Sequence, residues 1–208
     1  MDIAKFKKLP VMGIMRGIDI DIIDPLVGAV AASGLQTIEI TMNSPRPDEA
    51  IKKAVKTAAK TLMVGAGTVL NLDDLKKALD SGATFIVMPT LIGEVMDYCV
   101  SKVIPVFPGA ITPTEIYNAW NAGATMVKVF PSGYFGPSYI KEIRGPFDRI
   151  ELLACGGVDS KNIGEYFECG ASAVSFGASI FKKELLDAGN FKSIVTSIKK
   201  LLAGVPKR

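Results

Sequence analysis

Eight short apolar runs recur along the chain, and each is followed by a segment of helical periodicity. The runs are VMGIMR (11–16), TIEIT (37–41), LMVGAGT (62–68), FIVMP (85–89), IPVFPG (104–109), TMVKVFP (125–131), IELLACGG (150–157) and AVSFG (173–177). Stretches such as PDEAIKKAVKTAAK and NLDDLKKALDSG fill the intervals. Several end at a glycine (Gly34, Gly82, Gly123, Gly170), the residue that closes a helix C-terminus without a Cβ penalty. One unit takes roughly 20 to 27 residues, the rhythm of parallel βα units. Parallel strands are covered on both faces and read as continuous apolar runs, as these do. Eight units in 208 residues point to an α/β fold, a (β/α)8 TIM barrel occupying residues 1–208 as one domain. MDIAKFKK would be a short N-terminal helix closing the bottom. The competing architecture is an open doubly wound sheet. Against it, no strand leads into a GxGxxG turn with an acid about 20 residues further on.

Side chains alternate between the two faces of a strand. In TMVKVF, Met126, Lys128 and Phe130 share a face opposite Val127 and Val129. In TIEIT, Thr37, Glu39 and Thr41 lie opposite Ile38 and Ile40. The outer face of a barrel strand packs on apolar helices, so the Val and Ile pairs belong outside and Lys128 and Glu39 point in. Arg16 falls at the C-terminal rim, where active sites of such barrels lie. A structural ion pair is the plain reading, but a buried pair adds little net stability. The functional reading is a desolvated lysine with a depressed pKa, nucleophilic toward carbonyls, served by a carboxylate that moves protons.

The chain has no histidine. That removes the commonest general base, the Ser–His and Cys–His dyads, and His-ligated metals. No tight acidic cluster suggests a metal site. The net charge of +3 is small and the Lys and Arg residues are dispersed, which gives no nucleic-acid footprint. Cys99, Cys155 and Cys169 are an odd set without metal-type spacing, and free thiols in a reducing cytosol fit best. With no secretory signal core and no apolar run of membrane-spanning length, the expectation is a soluble cytoplasmic protein without a membrane partner.

Two glycine segments stand where barrel loops commonly cradle phosphate: Gly156-Gly157 after the seventh strand, and Gly177 with Ser179 after the eighth. Either alone reads as a tight turn; the pair at these two loops points to an anion cradle. Thr68, in GAGT, is placed to hydrogen-bond a ligand.

Taken in order, MRG, IEIT with SPRP, VGAGTV, FIVMP, PGAITPTE, VKVFPS, CGGV and FGAS resemble the KDPG/KHG family of class I aldolases, over nearly the whole chain. The resemblance implies Lys128 as the Schiff-base lysine and Glu39 as the general acid/base. It implies a pyruvate carboxylate site at Arg46, Thr68 and the turn at Pro89, Arg16 as a rim arginine, and Phe130 packed beside the imine. Gly156, Gly157, Gly177 and Ser179 would hold phosphate. It further implies no metal or organic cofactor, a phosphorylated keto acid and pyruvate as ligands, and a homotrimer. Members commonly read Pro-Thr-Gly-Gly after strand seven, where this chain has Ala154-Cys155-Gly156-Gly157. The alternatives are a sugar-phosphate isomerase or epimerase on a phosphate-binding barrel, and a non-catalytic barrel that binds keto acids.

Overall fold

The computed structural model describes residues 1–206. The strands are β1 (Val11–Met15), β2 (Thr37–Thr41), β3 (Met63–Gly67), β4 (Ile86–Val87), β5 (Val106–Phe107), β6 (Gly109–Ala110), β7 (Val127–Val129), β8 (Leu152–Cys155) and β9 (Ala173–Phe176). All pairings are parallel, in the order β5-β4-β3-β2-β1-β9-β8-β7-β6. The two ends of that order are consecutive pieces of one segment. β5 pairs with β4, β6 pairs with β7, and Pro108 lies between them. The fifth expected strand is therefore one barrel stave broken at a residue that has no N–H to give to a ladder. Counted as staves, the barrel has the eight positions that the sequence rhythm indicates.

The helices are α1 (Ile3–Lys8), α2 (Ile23–Ala32), α3 (Pro47–Ala58), α4 (Leu72–Asp80), α5 (Gly93–Ser101), α6 (Pro113–Asn121), α7 (Pro137–Arg144), α8 (Ile163–Glu168), α9 (Lys183–Asp187) and α10 (Phe191–Leu202). Local chemistry sets several starts. Asn71 caps α4 by accepting from the Asp74 amide, and Thr112 and Glu115 form a reciprocal capping box on α6. The outward strand residues Ile38, Ile40, Val127 and Val129 belong to one apolar cluster with Leu26, Val30, Ile51 and Ile198 of the helices. A second cluster fills the barrel: Met12, Met63, Phe85, Phe107, Met126 and Leu153, with Phe6 of α1. Phe6 meets Phe107 edge-on at 6.1 Å between centroids, and Phe85 meets it likewise at 5.9 Å. The leading helix thus plugs the N-terminal end and leaves the C-terminal mouth for polar groups.

Candidate active site

Lys128 on β7 and Glu39 on β2 both point into the barrel, 4% and 1% exposed. Neither oxygen of Glu39 has a hydrogen-bond partner. The carboxyl lies against Gly67, where a Cβ would come within 2.4 Å of Oε1. Glycine at that end of β3 is what lets the acid fit. Burial pushes the Glu39 pKa above the ordinary carboxyl value, with Lys128 and Arg16 pulling the other way.

Lys128 corrects one expectation. Burial alone would depress its pKa. The acidic neighbours Cys155 and Glu39 more than offset that, so the ammonium is held above the ordinary lysine value. An ammonium must give up a proton before it can attack a carbonyl. A buried carboxyl with a raised pKa suits that transfer. Nζ also sits 5.4 Å from the centroid of the Phe130 ring.

A cavity of about 490 Å³ opens above the lysine. Its lining includes Arg16, Lys128, Phe130, Cys155, both glycine segments and Ser179. Gly157 has φ +74°, and a Cβ there would lie 2.8 Å from Gly133 Cα, so only glycine lets this loop approach the Ser132–Tyr134 turn after β7. The Ser132 hydroxyl ties them by sitting 2.9 and 3.0 Å from the carbonyl oxygens of Cys155 and Gly156. The amides of Gly157, Val158, Ala178 and Ser179 meet no protein acceptor among the described residues. Four undirected N–H groups on two adjoining loops form a concavity suited to an anion. The Ser179 hydroxyl donates to Val158 O at 2.9 Å, so as it stands it offers lone pairs, not its proton, to a ligand.

On the opposite side of the mouth, Arg16 donates to Asn43 Oδ1 at 3.3 Å and to Thr68 Oγ1 at 3.2 Å. Thr68 has φ +54°, a left-handed conformation that β-branched residues rarely adopt and that is held here at the site. The loop carrying Asn43 is tied back by Ser44, whose Oγ accepts from Gly17 N at 2.9 Å and lies 2.8 Å from Thr41 Oγ1. Pro89 follows β4 at the same end, half-buried.

Arg46 is not brought into this cluster. Its guanidinium forks onto Glu49, with Nε to Oε1 at 2.8 Å, and it lines a neighbouring cleft beside α9 with Asp19, Asp21 and Asp187, which meets the Lys128 cavity at Arg16. Arg46 has φ +47° at the start of α3, and Glu49 lies three residues on, within reach along the first turn. The residue of that loop which reaches Arg16 is Asn43, which the sequence reading passed over. Cys155 is 2% exposed, inside the barrel beside Lys128. Burial pushes its thiol pKa up. No group of three or more metal-ligating side chains occurs among the described residues, and no described helix is long and apolar enough to cross a membrane.

A parallel barrel with a buried lysine and carboxyl beneath an anion-ready mouth has the architecture of a Schiff-base lyase. The model of the KDPG and KHG aldolase family matches residues 3–197. The chain is 36% identical over 177 residues to 2-dehydro-3-deoxy-6-phosphogalactonate aldolase of Escherichia coli K12, covering 84% of this chain and 86% of that one. A solved structure described as native KDPGal superposes with a TM-score of 0.88 at 31% identity, covering 95% of this chain and 94% of that one. KDPG aldolase from Legionella pneumophila, solved with pyruvate captured as a covalent carbinolamine, superposes at 0.85 with 25% identity, over 95% and 96% of the two chains. The chain belongs to the KDPG and KHG aldolase family, and it is a class I aldolase, a carbon–carbon lyase.

Proposed function

We propose that the chain reversibly cleaves 2-keto-3-deoxy-6-phosphogluconate or its galactonate epimer to pyruvate and glyceraldehyde 3-phosphate, with 4-hydroxy-2-oxoglutarate as a secondary substrate. The observation that carries this is Lys128 facing one cavity together with the two glycine loops, with the Glu39 carboxyl buried in the same barrel. The identity of 36% to a phosphogalactonate aldolase, against 28% to 31% for curated phosphogluconate aldolases, supports the galactonate epimer as the better substrate.

In this reading Glu39 takes the proton that Lys128 must lose. The amine adds to the C2 ketone, water leaves, and a protonated imine forms. That cation accepts the electron pair of the C3–C4 bond as it breaks, while a base takes the C4 hydroxyl proton. The aldehyde departs, the enamine is protonated at carbon, and hydrolysis frees pyruvate. Phe130 packs beside the imine. The pyruvate carboxylate is held by Arg16, Thr68 and the turn at Pro89, with Asn43 in place of Arg46. The phosphate rests on the free amides around Gly156, Gly157, Gly177 and Ser179. The route uses no metal or organic cofactor. The described cysteines are unpaired, which suits a reducing cytoplasm. The whole chain acts as one barrel domain and assembles as a homotrimer, a state carried over from the family resemblance.

The test is steady-state cleavage of each keto acid, coupled to pyruvate detection, in wild type and Gly177→Asp. The account expects the phosphorylated acids to be preferred. The aspartate, set in the cradle, should remove most of that preference and change cleavage of hydroxy-oxoglutarate much less. Equal turnover of phosphorylated and unphosphorylated acids by wild type would reduce these glycines to turn residues.

A further inference from the structure

Ser175 on β9 turns its side chain into the barrel. Its Oγ is buried, 1% exposed, and meets no oxygen or nitrogen partner; its one polar neighbour is the Cys155 thiol across the ladder, a weak hydrogen-bond partner. A buried hydroxyl left with only a thiol beside it is poorly satisfied, and an alanine would avoid that cost. A hydroxyl kept at such a place points to a partner that comes and goes. Ser175 lines the cavity that holds Lys128 and stands in register with Cys155 of β8 on one side and Met12 of β1 on the other. In the strand order, Lys128 on β7 and Glu39 on β2 each lie two positions from β9, in opposite directions. The hydroxyl is therefore midway along the arc that joins the amine to the carboxyl. The cavity-lining side chains between are the Cys155 thiol, a weak donor, and apolar Ile14. Two other serine hydroxyls near this arc are already committed to carbonyls, Ser132 to Cys155 and Gly156, and Ser179 to Val158.

We propose that Ser175 is a catalytic residue that holds the C2 oxygen of the keto acid while the imine forms and breaks down. The inference rests on the Schiff-base reading above. In the first step the lone pair of the Lys128 amine forms the N–C2 bond and the C=O π pair moves to oxygen. The oxygen gains a proton as the nitrogen loses one, which gives the carbinolamine. In the second step the nitrogen lone pair forms C=N and the C2–O bond breaks. The oxygen takes a further proton from the Glu39 carboxylic acid and leaves as water. Ser175 donates a hydrogen bond to that oxygen throughout and keeps its own proton, so it stabilises the charge that builds on oxygen in each direction.

The experiment follows pyruvate labelled with oxygen-18 at C2. Loss of label to water, above the spontaneous hydration rate, reports passage through the carbinolamine. Exchange of the methyl protons in deuterated water reports the enamine. Both are measured in wild type, Ser175→Ala and the volume-conserving Ser175→Cys, with Tm recorded for each. The ratio of oxygen loss to methyl exchange is expected to fall about tenfold in Ser175→Ala and less in Ser175→Cys. Tm in Ser175→Ala should hold or rise, because a poorly satisfied hydroxyl has been removed. A ratio unchanged in both variants overturns the proposal, whatever Tm does. Wild type showing neither exchange would instead overturn the Schiff-base reading on which the proposal stands.

Discussion

The two ends of the barrel interior are built from the same strands and differ by one inward step. Met126 is followed two residues on by Lys128, Leu153 by Cys155, Ala173 by Ser175, and Thr37 by Glu39. Three of the lower members, Met126, Leu153 and Ala173, belong to the packed cluster under α1, which Cys155 also joins; the fourth, Thr37, is polar and its buried hydroxyl has no partner. The upper members are ionisable or polar; the Glu39 carboxyl has no hydrogen-bond partner and the Ser175 hydroxyl has only the Cys155 thiol beside it. Close packing of the apolar cluster lets the fold carry a few poorly satisfied polar groups, since buried apolar area contributes far more than one such group removes. The lower end thus packs the barrel together and the upper end carries the ionisable groups of the candidate site.

This comparison breaks most readily at Glu39. Glu39→Gln should lower turnover about 10²- to 10⁴-fold, because proton transfer is lost while shape is kept. Its stability should move the other way. A carboxyl whose folded pKa is raised binds its proton more tightly folded than unfolded, so wild type loses stability as pH climbs from the ordinary carboxyl range through the raised value. Denaturation across that range should show a declining wild-type stability and a flatter profile for the glutamine variant. A variant less stable than wild type at neutral pH would show that the buried carboxyl is structural.

The lower end should answer in reverse. Phe107→Ala empties the centre of the aromatic plug and should cost about 3–5 kcal/mol in urea unfolding. Turnover of the folded fraction at low temperature should stay within about twofold. A kcat loss comparable to that of Glu39→Gln would mean that the two ends are not separable.

The mouth gives smaller effects. Arg16→Ala should raise the KM for the keto acid about 10- to 100-fold, the range for a charge-assisted hydrogen bond lost from a carboxylate. Arg46→Ala, which removes an exposed pair with Glu49, should change KM by less than about threefold. The reverse ranking, measured side by side, would move the carboxylate site to the loop after β2 as the family resemblance implies.

The inward lysine and glutamate were legible in the sequence because each is flanked by two β-branched residues that had to face helices. The glycine segments were legible from their place after the last two strands. The break at Pro108 was visible as a proline within an apolar run, although its consequence, two short strands closing one barrel, required the pairing partners. For Arg46 a motif match fixes a position in the chain and not a side-chain direction, which the pair with Glu49 decides locally. Asn43 carried no signal of its own. Ser175 did carry one, since alternation with Val174 and Phe176 turns it inward, but its poorly satisfied state is a property of the folded neighbourhood. The direction of the Lys128 shift likewise depended on Cys155, which lies 27 positions along the chain and on the next strand.

The central claim is that Lys128 forms the imine. Incubation with pyruvate and borohydride, followed by intact-mass and peptide analysis, tests it most directly. The account expects one reduced pyruvyl adduct per chain, carried by the peptide containing Lys128, with activity lost in proportion to labelling and no adduct in Lys128→Met. An adduct on another lysine, or no adduct from an enzyme that still cleaves its substrate, would contradict it.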